Sequence, residues 1–501
     1  MGQQPRRGYL RGLGVILPGR DRAPVGRGCR EVLRAWTVQP WSLDAEDRHL
    51  FRQVLGRCPA MGVRDARGHA PPAARPPVIC LTLAFAGRNS SEAEGGYMYE
   101  ALGVVPVING FGTATRVSGS LMPEPVIAAM REASGSYVLI DELLAAAGRR
   151  IAQLTRNDAA YICSSATAGL VLATAACISG DDPAVMAAFP HPGTVAGVPT
   201  KVVIHRCERF AYDFSVRSTG ITFVEIGPTR EESLRGVRTS PDELVRVLDG
   251  SVAAVLMVPN GPHTYGALPI GEVVTIAHAH GVPVIVDAAS QIPAVENLWH
   301  FSGHGGPAPW AQALHEAGVT ESAPEGVVGL GVDLAIFSGG KGLCGPAPTG
   351  LLLGRPDLID AITRQGSPNP LIGRPMKVGK EEICGVVAAV EWYLATDFTT
   401  LARRYEADVQ MVIDAVGGIR GVVATRVWPS EAGQPMPRAL VKFEPDAPLT
   451  RDEVQVRLMG NRPRIAVWNA GNDGFHVNPQ TLRPGEAAVI ADVLRRILRS
   501  E

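Results

Sequence analysis

The chain has 501 residues, of which 46% are hydrophobic and 19% charged, and its formal net charge is −1. This composition excludes an intrinsically disordered protein, and the length predicts more than one domain. Residues 1–97 carry a charge of +7 and residues 98–501 a charge of −8, so the main body lacks the basic face that would make a nucleic acid its principal partner.

Residues 1–97 contain no lysine, many Arg, Gly and Pro residues, and little hydrophobic periodicity. We expect a poorly structured extension, with Met98 as the natural start. Two other interpretations stay open: a secretory signal in PPVICLTLAFAG (76–87) after a start at Met61, or an arginine-rich RNA-binding arm. The eight cysteines lack metal or disulfide spacing, and no apolar run approaches the roughly 18 residues of a membrane helix, so we expect a soluble, cytoplasmic protein.

From Tyr99 onward, strand-like apolar runs alternate with helix-like segments, which is the pattern of an α/β fold. The runs lack polar alternation, which indicates a mostly parallel sheet covered by helices. The predicted strands are 158–165, 201–205, 221–226, 253–260, 282–290 and 333–338, and the predicted helices are 166–178, 240–248 and 271–281. A long helix within 368–394, strands at 438–445 and 463–470 and a helix at 484–498 follow. They predict a division into a large domain (98–370) and a smaller α+β domain (371–501).

Ligands in such sheets gather at the carboxyl ends of the strands, and three of these ends carry unusual residues. In CSSATAG (163–169) a strand turns into a helix whose free N–H groups can hold a phosphate, although Ser164 or Ser165 could simply cap the helix. Asp287 closes the apolar strand VPVIVD. A buried carboxylate there needs a partner, such as a pyridinium nitrogen, a metal ion or a helix N-terminus.

Lys341 follows the third strand, in the segment FSGGKGLCGP. The chain has only five lysines against 43 arginines, and lysine, unlike arginine, can lose its proton and form a Schiff base. The surrounding glycines let the backbone and a cofactor approach closely. Pyridoxal phosphate is bound through its phosphate, its ring nitrogen and its aldehyde. A phosphate-binding helix N-terminus, a carboxylate and a lysine match these three groups, so this cofactor is predicted. The structural alternative is a lysine that merely caps or solubilises a Gly-rich turn.

Five segments match one family in wording: VINGFGTATRVSGSLMPEPVIAAM (107–130), CSSATAGLVLATAA (163–176), VPVIVDAASQIP (282–293), VDLAIFSGGKGLCGP (332–346) and GRPMKVGKEEI (373–383). They resemble the selenocysteine synthase-like family of fold-type-I pyridoxal-phosphate enzymes. That family includes L-seryl-tRNA(Sec) selenium transferase and D-glucosaminate-6-phosphate ammonia-lyase. The resemblance implies Lys341 as the Schiff-base lysine and Asp287 as the pyridinium partner. It implies that the phosphate is held by Ser165, Ala166, Thr167 and Ser338.

Two features depart from the family pattern. An apparent insertion at about 301–329 precedes the lysine loop, and it suggests an active-site lid or a contact to a second subunit. Its neighbourhood contains His300, His304 and His315, but their spacing is not that of metal ligands, so no metal site is expected. The family often has a histidine near Glu208 that stacks on the cofactor ring, and none stands there in this chain.

The resemblance also implies the reaction class. Pyridoxal phosphate draws electrons from the α-carbon, so that a freed lysine can abstract the α-proton. We expect a lyase that eliminates ammonia from a small amino acid or amino-sugar acid. The alternatives are selenium transfer to seryl-tRNA, racemisation or amino transfer, and a non-catalytic relative. A tRNA partner is not expected, because the body is acidic and no folded N-terminal domain is predicted.

The substrate carboxylate needs a fixed cation, and a bidentate arginine would hold it best. Arg374 is the first choice, because it precedes the long helix where the two domains meet. Arg116 and Lys380 are weaker candidates, and a plain surface arginine is the alternative in so arginine-rich a chain. Enzymes of this class complete the site with a partner subunit, so we expect at least a homodimer.

Overall fold

The computed structural model describes residues 97–319 and 326–499. The expectations for residues 1–96, including the secretory signal and the basic arm, fall outside these ranges. No helix within them is long and apolar enough to cross a membrane.

Fourteen strands are formed in these two ranges. They are β1 (Val107–Gly110), β2 (Ala159–Cys163), β3 (Lys201–His205), β4 (Thr222–Ile226), β5 (Val252–Met257), β6 (Val284–Asp287), β7 (Gly306–Pro307), β8 (Gly326–Val327), β9 (Leu334–Ser338), β10 (Gly350–Gly354), β11 (Val422–Val427), β12 (Arg438–Phe443), β13 (Arg464–Ala470) and β14 (Gly474–Val477).

The α-helices that cover and connect them begin at Tyr97. They are α1 (Tyr97–Ala101), α2 (Glu124–Ser134), α3 (Ile140–Thr155), α4 (Ala166–Ser179), α5 (Pro183–Ala188), α6 (Asp213–Arg217), α7 (Arg230–Leu234), α8 (Pro241–Val247), α9 (Ile270–Ala279), α10 (Asn297–His300), α11 (Pro309–Glu316), α12 (Pro356–Gln365), α13 (Lys380–Leu394), α14 (Phe398–Val416), α15 (Arg451–Gly460) and α16 (Glu486–Arg499).

A seven-stranded sheet in the order β2-β10-β9-β6-β5-β3-β4 organises the larger domain. Only β10 runs antiparallel to its neighbours. All six residues of β5 are buried, as the uninterrupted apolar run predicts for a strand covered on both faces. Helix α4 is apolar on every side, with 11 of its 14 residues buried. The predicted mostly parallel α/β fold is therefore confirmed.

The smaller domain has its own sheet, in the order β1-β13-β14-β12-β11. Strand β1 comes from the N-terminal segment and pairs in parallel with β13. Two hydrophobic cores meet inside α14: Phe398, Ala402 and Tyr405 pack in the larger core, whereas Val409 packs in the smaller one. Helix α13 also buries its apolar face in the larger core, so residues on both sides of position 370/371 contribute to that core.

The apparent insertion folds as part of the larger domain in its described residues. Trp310 of α11 is fully buried, its indole N–H donates to the carbonyl of Pro435 (2.8 Å), and its ring packs beside Phe398 and Tyr405. A side chain held in this way anchors the segment to α14, so the lid interpretation is not supported for α11.

Candidate active site

The first part of the site is the N-terminus of α4. Ser165 is the N-cap residue, and its hydroxyl accepts the N–H of Ala168 at 3.0 Å. The N–H groups of Ala166 and Thr167 donate to no group in the described part of the chain, as is usual at the first helical positions. Two free donors at the positive end of a helix form a seat for an anion.

Strand β10 brings this seat against Ser338. Gly350 pairs with Cys163 on one side and with Ser338 on the other. A Cβ atom on Gly350 would lie 2.3 Å from the carbonyl carbon of Ser165 and 2.7 Å from the nitrogen of Ala166. Only glycine permits so close an approach, and it places the α4 N-terminus beside the last residue of β9.

The second part is a buried carboxylate beside a lysine. Strands β6 and β9 are parallel neighbours, with Asp287 opposite Ile336, so Asp287 and Ser338 end adjacent strands at the same edge. Asp287 Oδ1 accepts the N–H of Ala289 at 3.0 Å. Burial raises the pKa of Asp287, while the N–H of Ala289 and the charge of Lys341 act in the opposite direction.

Lys341 is half-buried, and its amine forms no hydrogen bond within the described residues. Burial lowers the pKa of this amine, and the negative charge of Asp287 opposes the shift. A half-buried amine near a carboxylate, without a hydrogen-bond acceptor among the described residues, is chemically available to a ligand at this edge of the sheet.

The lysine loop is packed tightly on all sides, which explains its glycines. A Cβ atom on Gly342 would lie 2.4 Å from Ile292 Cγ2, and one on Gly339 would lie 2.0 Å from Thr349 Oγ1. The carbonyl of Gly340 accepts the N–H and the hydroxyl of Ser120, at 3.2 and 3.0 Å. The neighbours that require glycine in this structure are therefore protein atoms.

The three substrate-binding candidates lie in different places. Arg374 is exposed in the turn Arg374–Met376, and the carbonyl of Met376 accepts the N–H of Ser164 at 3.3 Å, so this turn lies against the phosphate seat. The ammonium of Lys380 donates to the carbonyl of Ala133 in α2 (2.7 Å) and pairs with Glu381. Lys380 therefore joins α13 to α2 by a hydrogen bond.

Arg116 lies elsewhere, in a cleft between the N-terminal segment and the smaller domain. The structure thus places the backbone of the turn Arg374–Met376 against Ser164, whereas the Lys380 ammonium is held by Ala133 and Glu381.

Two histidines that were not considered as site residues lie near the same edge, and one of them, His205, stands three residues before Glu208, where a histidine was described as missing. His205 ends β3 and is fully buried; its Nε2 accepts the N–H of Leu268 at 3.2 Å, and its Nδ1 lies 3.3 Å from Glu208 Oε2. Both ring nitrogens thus face the protein. His263 follows β5, and its Nε2 is buried without a partner among the described residues.

Burial and the charge of Arg230 lower the pKa of His263, which favours the neutral imidazole. His263 could have been identified from the sequence by its position, six residues after the last residue of an apolar strand in a parallel sheet.

The residues at this edge fit pyridoxal phosphate. Asp287 would supply a carboxylate for the ring nitrogen, Lys341 would supply an amine for the aldehyde, and the α4 N-terminus with Ser338 would supply donors for the phosphate. No group of three or more His, Cys, Asp and Glu residues suited to a metal ion occurs in 97–319 and 326–499. His300 and His304 instead bond to the carbonyl of Val328 (2.7 Å) and to Asp158 (2.8 Å).

Comparison with characterised proteins identifies relatives along most of the chain. No family model matches it. It is 30% identical over 401 residues to the 5'-C-glycyluridine monooxygenase-decarboxylase of a Streptomyces species, which covers 78% of this chain and 90% of that protein. It is 29% identical over 408 residues to the D-glucosaminate-6-phosphate ammonia lyase of Salmonella typhimurium, which covers 80% of this chain and 97% of that protein.

A solved structure of a D-glucosaminate-6-phosphate ammonia-lyase superimposes with a TM-score of 0.62 at 29% identity, over 80% of this chain and 98% of that one. The L-seryl-tRNA(Sec) selenium transferase of Nitratidesulfovibrio vulgaris is 29% identical over 310 residues. That match covers 56% of this chain and 59% of the transferase.

Proposed function

Because this chain belongs to the selenocysteine synthase-like family of fold-type-I pyridoxal-phosphate enzymes, we propose that it is a lyase that eliminates ammonia from a small amino acid or amino-sugar acid. The observation that carries the proposal is the placement of Asp287 and Lys341 at the same edge of the sheet, where the charge of each acts on the other, with the free N–H groups of α4 brought beside Ser338 by β10. The ammonia lyase, matched along 97% of its length, supports this choice of reaction.

Each residue has a defined task in this proposal. Ala166 and Thr167 donate their N–H groups to the cofactor phosphate, and Ser338 offers its hydroxyl. Asp287 places a negative charge at the ring nitrogen. The bound cofactor supplies an electron sink for the substrate α-carbon. Lys341, whose pKa is lowered by burial, takes the α-proton, because a larger share of its amine is neutral than in an exposed lysine.

Arg374 is proposed to hold the substrate carboxylate. Its turn lies against the phosphate seat through Met376 and Ser164, and its guanidinium forms no ion pair with the described residues. Replacement by lysine keeps the charge but loses the two-pronged geometry. Arg374→Lys should therefore raise KM several-fold and leave the cofactor absorbance unchanged; unaltered kinetics would assign the carboxylate to another residue.

A second candidate is an oxidative decarboxylation, which the relative from Streptomyces supports by its 30% identity along 90% of its length. The two reactions consume different reagents. A monooxygenase needs molecular oxygen, whereas ammonia elimination does not. Selenium transfer is supported less, since the matched part covers 59% of the transferase, and tRNA is not included among the proposed partners.

The test uses the purified full chain loaded with pyridoxal phosphate, incubated with D-glucosaminate 6-phosphate and with serine, in air and without oxygen. The lyase proposal expects ammonia release at the same rate in both atmospheres, without oxygen uptake. Oxygen uptake with release of carbon dioxide, lost under anaerobic conditions, would replace it with the oxidative reaction. Absence of both activities and of the cofactor absorbance at about 420 nm would remove the enzymatic proposal altogether.

The proposed assembly is a homodimer in the cytoplasm. Tyr137, Val138 and Leu139, between α2 and α3, are all exposed, Tyr137 completely, and three adjacent apolar side chains in water are typical of a surface that a partner covers. The five cysteines in the described residues are free thiols, which supports a reducing compartment.

A further inference from the structure

A cleft of about 670 Å³ lies apart from the cofactor residues, between the N-terminal segment and the smaller domain. One wall consists of residues from the stretch 99–121. The other consists of residues from α15, β13 and the turn before α16. Its volume is in the range of pockets that bind small organic molecules, and a small amino acid would fill only a minor part of it.

The walls of the cleft are largely apolar. Val105, Val107 and Phe111 line one side, and Met459 and Ile465 line the other. The ring of Phe111 packs edge-on against Trp468, with the ring centroids 4.6 Å apart. An apolar cleft with an aromatic ring favours a ligand with a flat or apolar body.

The charged residues of the cleft leave one cation without a partner. Of Arg116, Arg483 and Glu486, the last two neutralise each other: the Glu486 carboxylate accepts the N–H and the guanidinium of Arg483 at 2.7–2.8 Å. Arg116 is exposed and forms neither a hydrogen bond nor an ion pair among the described residues. The cleft therefore carries an excess positive charge, which favours an anion.

The end of the cleft is joined to the lysine loop. Ser120, which lines the cleft, donates both its N–H and its hydroxyl to the carbonyl of Gly340. Gly119, another lining residue, approaches the same carbonyl so closely that a Cβ atom would lie 2.6 Å from it. Gly340 immediately precedes Lys341, so this wall of the cleft is hydrogen-bonded to the peptide group that joins Gly340 to Lys341.

We propose that this cleft binds an amphipathic anion of about nucleotide size, with its apolar body between Phe111 and Met459 and its anionic group on Arg116. Two sources have this chemistry. One is the distal part of a large substrate whose amino end reaches Lys341, which rests on the proposed function. The other is a separate effector that acts through Ser120 and Gly340.

Isothermal titration of the full-length, cofactor-loaded protein with uridine 5'-monophosphate, uridine and ribose 5-phosphate tests the binding. The monophosphate should bind more tightly than either fragment, because only it offers both the base and the anion. Arg116→Ala should weaken its binding by about tenfold or more, as loss of a charge-assisted hydrogen bond does, and reduce it to the level of uridine. Arg364→Ala, at an exposed arginine outside the cleft, is the matched control and should bind normally.

A second variant tests the cleft independently of charge. Met459→Trp should fill it and abolish binding of the monophosphate while leaving the cofactor absorbance unchanged. Absence of binding to the full chain overturns the proposal. So does binding that neither variant affects. These measurements require no turnover, so they stand or fall separately from the proposed lyase reaction.

Kinetics separate the two sources. A substrate subsite predicts that uridine 5'-monophosphate competes with a large substrate and leaves the α-proton exchange of a small amino acid unaffected. An effector site predicts that the same probe changes the rate of this small-substrate exchange without competing with it. In either case the effect should disappear in Arg116→Ala, and persistence of the effect in that variant argues against the cleft.

Discussion

The amine of Lys341 is subject to two opposing influences, and their balance sets its chemistry. Burial favours the neutral form, and the carboxylate of Asp287 favours the charged form. Asp287 is itself buried and receives only one backbone N–H, from Ala289. The charged form of each group is thus favoured by the other, and that of Asp287 is favoured also by the N–H of Ala289.

Lys341→Ala should abolish both the absorbance at about 420 nm and the α-proton exchange of any substrate, because a Schiff base needs a primary amine and Lys341 holds the one whose charge acts on Asp287. Lys442→Ala is the control, since Lys442 is exposed and lies 3.6 Å from Asp473; both properties should be retained, as they should in Lys201→Ala. Borohydride reduction followed by peptide mapping gives the direct result. A pyridoxyl group on a lysine other than Lys341 would rule out the proposed mechanism.

Asp287→Asn should lower turnover by about tenfold or more, since a loss of one pKa unit of charge stabilisation corresponds to that factor. The direction in which this variant changes the pKa of Lys341 is also defined. Removing the carboxylate removes the influence that raises the lysine pKa, so in the cofactor-free protein the amine should lose its proton at lower pH than in the wild type. The rate of labelling by an amine reagent, measured against pH, reports this shift. Wild-type turnover together with an unmoved labelling profile would mean that the carboxylate is misassigned.

Among the elements, the lysine loop is held by close contacts and by backbone hydrogen bonds, and not through the lysine amine. Gly342→Ala would place a methyl group 2.4 Å from Ile292 Cγ2, so the loop or the isoleucine must move. We expect a destabilisation of about 1–3 kcal/mol and weaker retention of the cofactor, measured by chemical denaturation and by absorbance.

The cause can be isolated by restoring space. Adding Ile292→Ala, which removes Cγ2 but keeps the Cβ atom at 2.6 Å, should recover part of the cofactor binding lost in Gly342→Ala, whereas Ile292→Val keeps Cγ2 and should recover none. Gly460→Ala is a suitable control, because its Cβ atom would meet no atom within 4 Å. Equal losses in the two single variants, or a lack of rescue by Ile292→Ala, would contradict the steric explanation.

Helix α11 and helix α14 show how a segment that departs from the family pattern joins the fold. The carboxylate of Glu296 accepts the N–H groups of Trp310 and Ala311, each at 3.1 Å, and so binds the first turn of α11. The buried indole of Trp310 then fixes this helix to α14, the element in which the two hydrophobic cores meet. Helix α11 therefore belongs to the larger domain and packs against the helix that both domains share.

At the scale of the whole molecule, the proposed homodimer depends on the exposed Tyr137–Leu139 segment. Replacing Tyr137 and Leu139 by aspartate places two charges in an interface from which water is excluded, so the double variant should elute as a monomer in light-scattering chromatography. Val456→Asp, at an exposed valine of α15, should leave the assembly unchanged. A wild-type chain that is already monomeric at micromolar concentration would contradict the proposal.

The sequence by itself determined most of the strands and helices and the residues at which the strands of the site end. Strand β3 has the predicted bounds Lys201–His205, and Asp287 and Ser338 end β6 and β9 as expected. An apolar run that ends in a charged or hydroxyl residue is a local pattern, and the parallel connection fixes at which edge that residue lies. Lys341 was identifiable for a similar reason, because its chemical type is rare in this chain and its neighbours are glycines.

Tertiary packing alone decided which distant segments meet. Several contacts join residues that are far apart in the chain. Ser165 approaches Ser338 across Gly350, and Lys380 donates to Ala133. Trp310 is buried beside α14, and the two hydrophobic cores meet inside that helix. The cleft around Arg116 likewise exists only because β1 pairs with β13. Hydrophobic periodicity records whether a residue is buried but not against which partner, since many partners of similar shape bury the same apolar area.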